Sequence, residues 1–104
     1  MANDLIPTSP EGQLLIYEDG SLRVQVRIDG KTVWLTQAGI ALLYQTTPQN
    51  ITMHLKSIYE EEELNEKATC KEFLQVQQEG SRSVRRAAKH YNLDAILAVG
   101  YRVR

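Results

Sequence analysis

One segment in the first third of the chain alternates apolar and polar side chains with the period of a β-strand. In LRVQVRI (22–28) the four aliphatic side chains share one face, and Arg23, Gln25 and Arg27 share the other, as a half-buried strand requires. The runs LLIYE (14–18) and KTVWLT (31–36) flank this segment, and each junction carries an Asp-Gly pair, which is a strong hairpin signal. The pattern therefore predicts an N-terminal antiparallel β-meander.

The apolar spacing becomes helical after Thr36, which is predicted to cap a helix over 37–44. Gln45-Thr46 forms the connection. Thr47-Pro48 then predicts the start of a second helix, because threonine can cap and proline fits the first helical position. This helix is expected to run to about Tyr59. Its predicted inner face consists of Ile51, Leu55, Ile58 and Tyr59.

The last third of the chain predicts a longer hairpin and a terminal helix. KEFLQVQQ (71–78) and SVRRAAKHYNL (83–93) flank Glu79-Gly80-Ser81, and the tip and return strand are basic. The final helix is expected to begin at Asn92 or Leu93. Its predicted inner face carries Leu93, Ile96, Leu97 and Tyr101.

These elements predict an α+β fold: a small winged helix-turn-helix-like domain with an N-terminal antiparallel β-meander and a C-terminal β-hairpin wing. Residues 1–13 are expected to form an irregular leader, and 14–104 a single domain. A helix-turn-helix followed by a basic hairpin suggests double-stranded DNA as a partner. Four side chains on the outer side of the second helix are expected to face bases: Gln49, Asn50, Met53 and Lys56. Another group is expected to hold phosphates: Thr47, Thr52, Ser57, Arg82, Arg85, Arg86 and Lys89.

The formal net charge of -1 hides a strong asymmetry along the chain. Residues 60–72 hold six acids against two lysines, whereas residues 81–104 hold six bases against one acid. Binding to a polyanion depends on the local field rather than on the total charge. The pI of about 6 nevertheless weighs against nucleic acid. The acidic run 60–63 suggests a solvated edge turned away from DNA, or a contact with a partner.

The sequence offers little for catalysis. We find no phosphate-binding glycine loop, no metal-ligand cluster and no nucleophile with a base at a useful spacing. We therefore expect no enzyme activity, no cofactor, no metal and no small-molecule substrate. Cys70 stands alone, which fits a reducing cytoplasm, and His54 and His90 are expected to pack or hydrogen-bond. No apolar run has the roughly 20 residues that a membrane-spanning helix needs.

Three segments resemble the N-terminal region of the virulence RhuM family: residues 34–64, residues 79–94 and IxxVGYRV at 96–103. The resemblance covers nearly everything from Leu14 onward, and HYNLDAILAVGYRV is its most specific part. It implies a bacterial domain of the kind described as DNA-binding and similar to phage antirepressor-like domains, but it supplies no contact residues. Family members continue past VGYRV, which implies that this chain is an N-terminal fragment of a longer protein. In the turn between the two helices the family often has Phe-Gly, whereas this chain has Tyr44-Gln45. Without glycine, a left-handed backbone conformation in this turn costs more free energy.

The sequence is consistent with two hypotheses about function. The first is a sequence-specific DNA-binding domain of a regulator, with a recognition helix at about 48–59 and a wing at about 75–91; a homodimer would fit such a role. The second is a protein–protein interaction module that uses the same fold without binding DNA.

Overall fold

A single five-stranded antiparallel sheet organises the molecule, seen here in a computed structural model that describes residues 13–103. The elements, in chain order, are β1 (Gln13–Asp19), β2 (Leu22–Asp29), β3 (Thr32–Thr36), α1 (Gln37–Tyr44), α2 (Pro48–Glu60), α3 (Glu66–Thr69), β4 (Cys70–Glu79), β5 (Arg82–Asn92) and α4 (Leu93–Arg102). The strand order is β1-β2-β3-β5-β4. The fold is thus mixed α+β, as predicted. The first strand begins at Gln13, and the rest of the predicted leader lies outside the described residues.

Two-residue loops close the three hairpins, each opened by a glycine with positive φ: Gly20, Gly30 and Gly80. A glycine populates this backbone region without the steric cost that a Cβ adds. The predicted meander β1-β2-β3 and the hairpin β4-β5 are therefore both confirmed. The short β3 pairs with β5, which joins the two hairpins into one sheet.

The main core lies between one face of the sheet and helices α1, α2 and α4. Val24, Leu35 and Tyr91 are buried on this helix-bearing face of the sheet, against Ile40 of α1 and Ile51 of α2. The predicted inner face of α2 is confirmed, since Ile51, Leu55 and Ile58 are buried.

A second, smaller core covers part of the opposite face of the sheet. The ring of Phe73 meets Trp34 edge-on, at 5.6 Å between centroids, and meets His90 in the same way at 5.0 Å. The guanidinium of Arg27 lies 5.1 Å from the Phe73 centroid and donates to the carbonyl oxygen of Leu74 at 2.9 Å. Because β2 and β4 are not neighbours in the strand order, this hydrogen bond requires the sheet to curl. Arg27 lies on the face of β2 opposite the aliphatic side chains, and the curl buries its side chain under β4.

Helix α4 packs through a face that shares Ile96 with the predicted one but not the other three predicted residues. Its buried residues are Ala95, Ile96, Ala98 and Val99, whereas Leu97 and Tyr101 are 50% and 78% exposed. Leu93 is also exposed. Small side chains allow a helix to approach its neighbours closely, so the alanines, rather than the largest apolar residues, mark the inner face.

Candidate nucleic-acid interface

Helices α1 and α2 form a helix pair with a three-residue connection, 45–47. Gln45 adopts the left-handed conformation at φ 56° and ψ 49°, and Thr47 caps α2 by accepting from the backbone N–H of Asn50 at 3.1 Å. Pro48 occupies the first turn of α2, where its missing N–H costs nothing. Both predicted cap residues, Thr36 and Thr47, are confirmed.

Three of the four predicted base-facing residues are exposed, and the fourth is hydrogen-bonded within the protein. Gln49, Met53 and Lys56 are exposed on α2, and Met53 retains 56% of its accessible surface. Asn50 is half-buried, and its amide Nδ2 donates to Thr46 Oγ1 at 2.8 Å. The outer side of α2 therefore offers an amide, a thioether and an ammonium group, while Asn50 braces the connection.

Two of the three predicted phosphate-holding residues at α2, Thr47 and Thr52, have hydrogen-bond partners within the protein. The hydroxyl of Thr47 serves as the cap, and Thr52 Oγ1 lies 2.9 Å from both Pro48 O and Gln37 Oε1. Ser57 is half-buried. Thr47 and Thr52 are exposed, but both hydroxyl groups already form hydrogen bonds within the protein.

The hairpin register separates the four predicted basic residues into two pairs. Successive side chains of a strand point to opposite faces, so Arg85 and Lys89 share the face of Tyr91, which is the helix-bearing face of the sheet. Arg82 and Arg86 lie on the opposite face with His90. The sequence prediction treated the four as one set, whereas the register places two of them on each face of the strand.

Arg86 is already paired within the hairpin. Its Nε lies 2.7 Å and its Nη2 lies 2.9 Å from the two carboxylate oxygens of Glu79. This two-pronged hydrogen bond lowers the pKa of Glu79 and raises that of Arg86. In contrast, Arg82, Arg85 and Lys89 are exposed and make no ion pair with another described residue.

A chain of hydrogen bonds connects α2 to strand β5. Gln37 Nε2 donates to Tyr91 Oη at 3.2 Å, and Gln37 Oε1 lies 2.9 Å from Thr52 Oγ1. Burial, opposed by the Gln37 hydrogen bond, raises the pKa of Tyr91 to about 12, so the phenol stays protonated. The sequence prediction missed Gln37, because the first residue of a helix carries no mark of a partner 54 positions away.

The acidic run meets a cation from the end of the chain. Arg102 Nη2 lies 2.9 Å from Glu61 Oε1 and 2.9 Å from Glu63 Oε1. These hydrogen bonds raise the pKa of Arg102. The run following α2 therefore contacts α4, a contact that the sequence prediction did not include.

The histidine, cysteine and acidic side chains of residues 13–103 are possible metal ligands or reactive groups. No three histidine, cysteine or acidic side chains there are grouped as a metal site. Burial raises the pKa of the Cys70 thiol and lowers that of His90, whose Nδ1 lies 2.8 Å from Ala88 O. The described helices are all too short or too polar to cross a membrane.

Comparison with known proteins gives one partial match. The model of the virulence protein RhuM family matches residues 68–104, a segment that contains the end of α3, the hairpin β4-β5 and α4. The resemblance to this family is thus confirmed over that segment. No curated protein and no solved structure matches the chain.

Proposed function

We propose that this chain binds double-stranded DNA sequence-specifically, as the winged helix-turn-helix domain of a regulator. The order of elements supports this proposal: in β3-α1-α2-α3-β4-β5 a helix pair precedes a hairpin, and β3 pairs with β5. In this proposal α2 enters the major groove and the hairpin lies along the neighbouring backbone.

One observation carries the proposal: the register places Arg85 and Lys89 on the face of the sheet that also carries the helices. Tyr91 follows Lys89 by two residues on that face and is linked to α2 through Gln37 and Thr52. The strand with the two cations and the polar helix are therefore held together within one hydrogen-bonded unit.

Each exposed group has a role in this complex. The amide of Gln49 can donate to and accept from an adenine edge, Lys56 can reach guanine or phosphate, and the methyl group of Met53 can contact thymine. Arg85 and Lys89 would neutralise phosphates without reading sequence. Arg86 is expected to contribute little, because Glu79 already holds its guanidinium.

A salt titration of binding to a labelled random-sequence duplex tests the phosphate contacts. Each neutralised phosphate contributes roughly −0.9 to the slope of log K against log salt. The double substitution Arg85→Ala and Lys89→Ala should therefore make the slope shallower by about 2. The charge-matched control, Arg23→Ala with Lys31→Ala, removes two exposed cations from the meander and should leave the slope unchanged.

Selection of a preferred duplex from a random library then tests α2. Gln49→Ala should lower affinity for the selected duplex by roughly 5- to 150-fold, the range for one bidentate base contact, while affinity for random duplex stays constant. Absence of binding at about 50 mM salt, where phosphate contacts are strong, would contradict the proposal. That outcome would favour the protein-interaction alternative.

A further inference from the structure

Strand β1 is unusually apolar for a strand that has one neighbour, β2, among the described residues. Leu14, Leu15, Ile16 and Tyr17 follow one another and are each 45% to 48% exposed. Side chains alternate between faces, so both faces of β1 are apolar, which is typical of a strand inside a sheet. Exposed edge strands usually carry lysine, proline or a bulge that discourages pairing, and residues 13–17 carry no charge and no proline.

The opposite edge, strand β4, differs in this respect. The Arg27 guanidinium from β2 donates to the Leu74 carbonyl, and Lys71 pairs with Asp29 at 2.7 Å. Curling of the sheet therefore brings polar groups over β4, whereas no other strand of residues 13–103 lies on the outer side of β1.

An apolar groove continues the surface of β1 over the helix-bearing face. It has a volume of about 190 Å³ and runs between Tyr17, Leu43 of α1 and Leu93 of α4. Leu15 and Tyr17 point to this face, since they pair with Val26 and Val24 of β2. A partner strand beside β1 would cover the mouth of this groove and remove apolar surface from water.

We infer that β1 pairs antiparallel with β1 of a second copy, so that two sheets join into one across a two-fold axis. The open edge presents unpaired backbone N–H and C=O groups, so its partner must be an extended strand. Another β1 matches it on both faces, because paired residues in an antiparallel ladder point to the same side. The Leu15 and Tyr17 side chains of the two copies then lie together over the groove, and the Leu14 and Ile16 side chains lie together on the other face.

Charge favours the antiparallel arrangement. Glu18 and Asp19 end the strand, and a two-fold axis near Leu15 or Ile16 puts the acids of the two copies at opposite ends. A parallel pairing would set like charges side by side, which is destabilising. The hairpin β4-β5 lies at the other edge of the sheet, so this dimer goes beyond the proposed DNA binding and does not depend on it.

Sedimentation of the full chain without DNA, from about 1 μM to 1 mM, tests the association itself. The expected result is a monomer–dimer equilibrium in which Ile16→Lys raises the dissociation constant by at least 10-fold. Leu42→Lys is the control, since Leu42 is 50% exposed against 46% for Ile16 but lies on α1; it should leave the constant unchanged. A monomer throughout, or a dimer that tolerates Ile16→Lys, would overturn the inference.

Single cysteines test the geometry in a Cys70→Ser background, where circular dichroism first confirms folding. Cysteine is placed in turn at 14, 15, 16 and 17, and the disulfide-linked dimer is quantified. A residue on the two-fold axis faces its own copy within disulfide reach. A residue next to the axial one is offset by two residues along the strand from its own copy. The Cα atoms of that residue and its copy are therefore roughly 8 Å apart, beyond the disulfide limit of about 7 Å. One position should therefore dominate; equal linking at all four, or none, would refute β1 pairing. Both readouts are made without DNA, so their failure leaves the Arg85 and Lys89 test intact.

Discussion

Replacement of Gln45 by glycine should stabilise the protein by relieving the turn between α1 and α2. Gln45 has φ 56° and ψ 49°, and a left-handed backbone costs a residue with a Cβ about 1–2 kcal/mol. Glycine avoids that cost but loses about 0.5–1 kcal/mol more backbone entropy on folding. The difference leaves a net gain of about 0.5–1 kcal/mol in the free energy of unfolding.

The surrounding contacts support this estimate, because none of them uses the Gln45 side chain. Its backbone N–H donates to Leu42 O at 3.2 Å, and the N–H of Thr46 donates to Ala41 O at 2.9 Å. Both hydrogen bonds survive in Gln45→Gly. For a domain of this size the gain corresponds to a rise in Tm of about 3–6 °C.

Urea denaturation followed by tryptophan fluorescence measures the effect, since Trp34 is the chain's single tryptophan and is buried. Gln45→Ala is the matched control: it removes the same polar group but keeps the Cβ, so its stability should stay near that of the unsubstituted protein. Equal stability of the glycine and alanine variants would refute the reasoning. It would mean that the left-handed backbone at this position carries no cost.

Three further substitutions test other contacts. Gly100→Ala places a Cβ 2.5 Å from the Tyr44 hydroxyl and should lower the free energy of unfolding by about 1–3 kcal/mol in thermal melts, whereas Gly39→Ala, whose nearest contact is 3.4 Å, should not. Burial lowers the pKa of His90, so the unfolded chain protonates first and stability should fall as the pH drops below about 6.5; His90→Gln should flatten this slope in urea titrations at pH 5–8. Arg102→Gln should destabilise the protein at low salt, and the difference should shrink in 1 M NaCl because salt screens its pairing with two glutamates; a difference independent of salt would contradict an ionic role.

Elements marked by local chemistry could be predicted from the sequence. The glycines of the hairpin loops and the caps Thr36 and Thr47 act within a few residues of their own position. The inner face of α2 was also predictable, since Ile51, Leu55 and Ile58 recur at helical spacing among polar residues. In each case the sequence neighbours determine the structure.

Features that depend on distant segments were not predictable. The burial of Arg27 requires β4 to curl over β2, and its hydrogen bond to Leu74 spans 47 residues. The inner face of α4 was predicted correctly at Ile96 alone, because close approach of α1 determines the rest. Tyr44 Oη donates to Ile96 O at 2.7 Å, which the absence of a side chain at Gly100 permits. The sizes of the apolar side chains along α4 do not indicate which side of the helix the Tyr44 ring packs against.

The contacts of the basic residues change the meaning of the charge asymmetry along the chain. Of the cations after position 80, Arg86 is paired with Glu79 and Arg102 with two glutamates after α2. Among the described residues after position 80, the cations without an ion pair are Arg82, Arg85 and Lys89, all on β5. Because Arg82 points to the opposite face, the helix-bearing face of the hairpin carries two cations, which is why the expected change in salt slope is about 2 rather than 4.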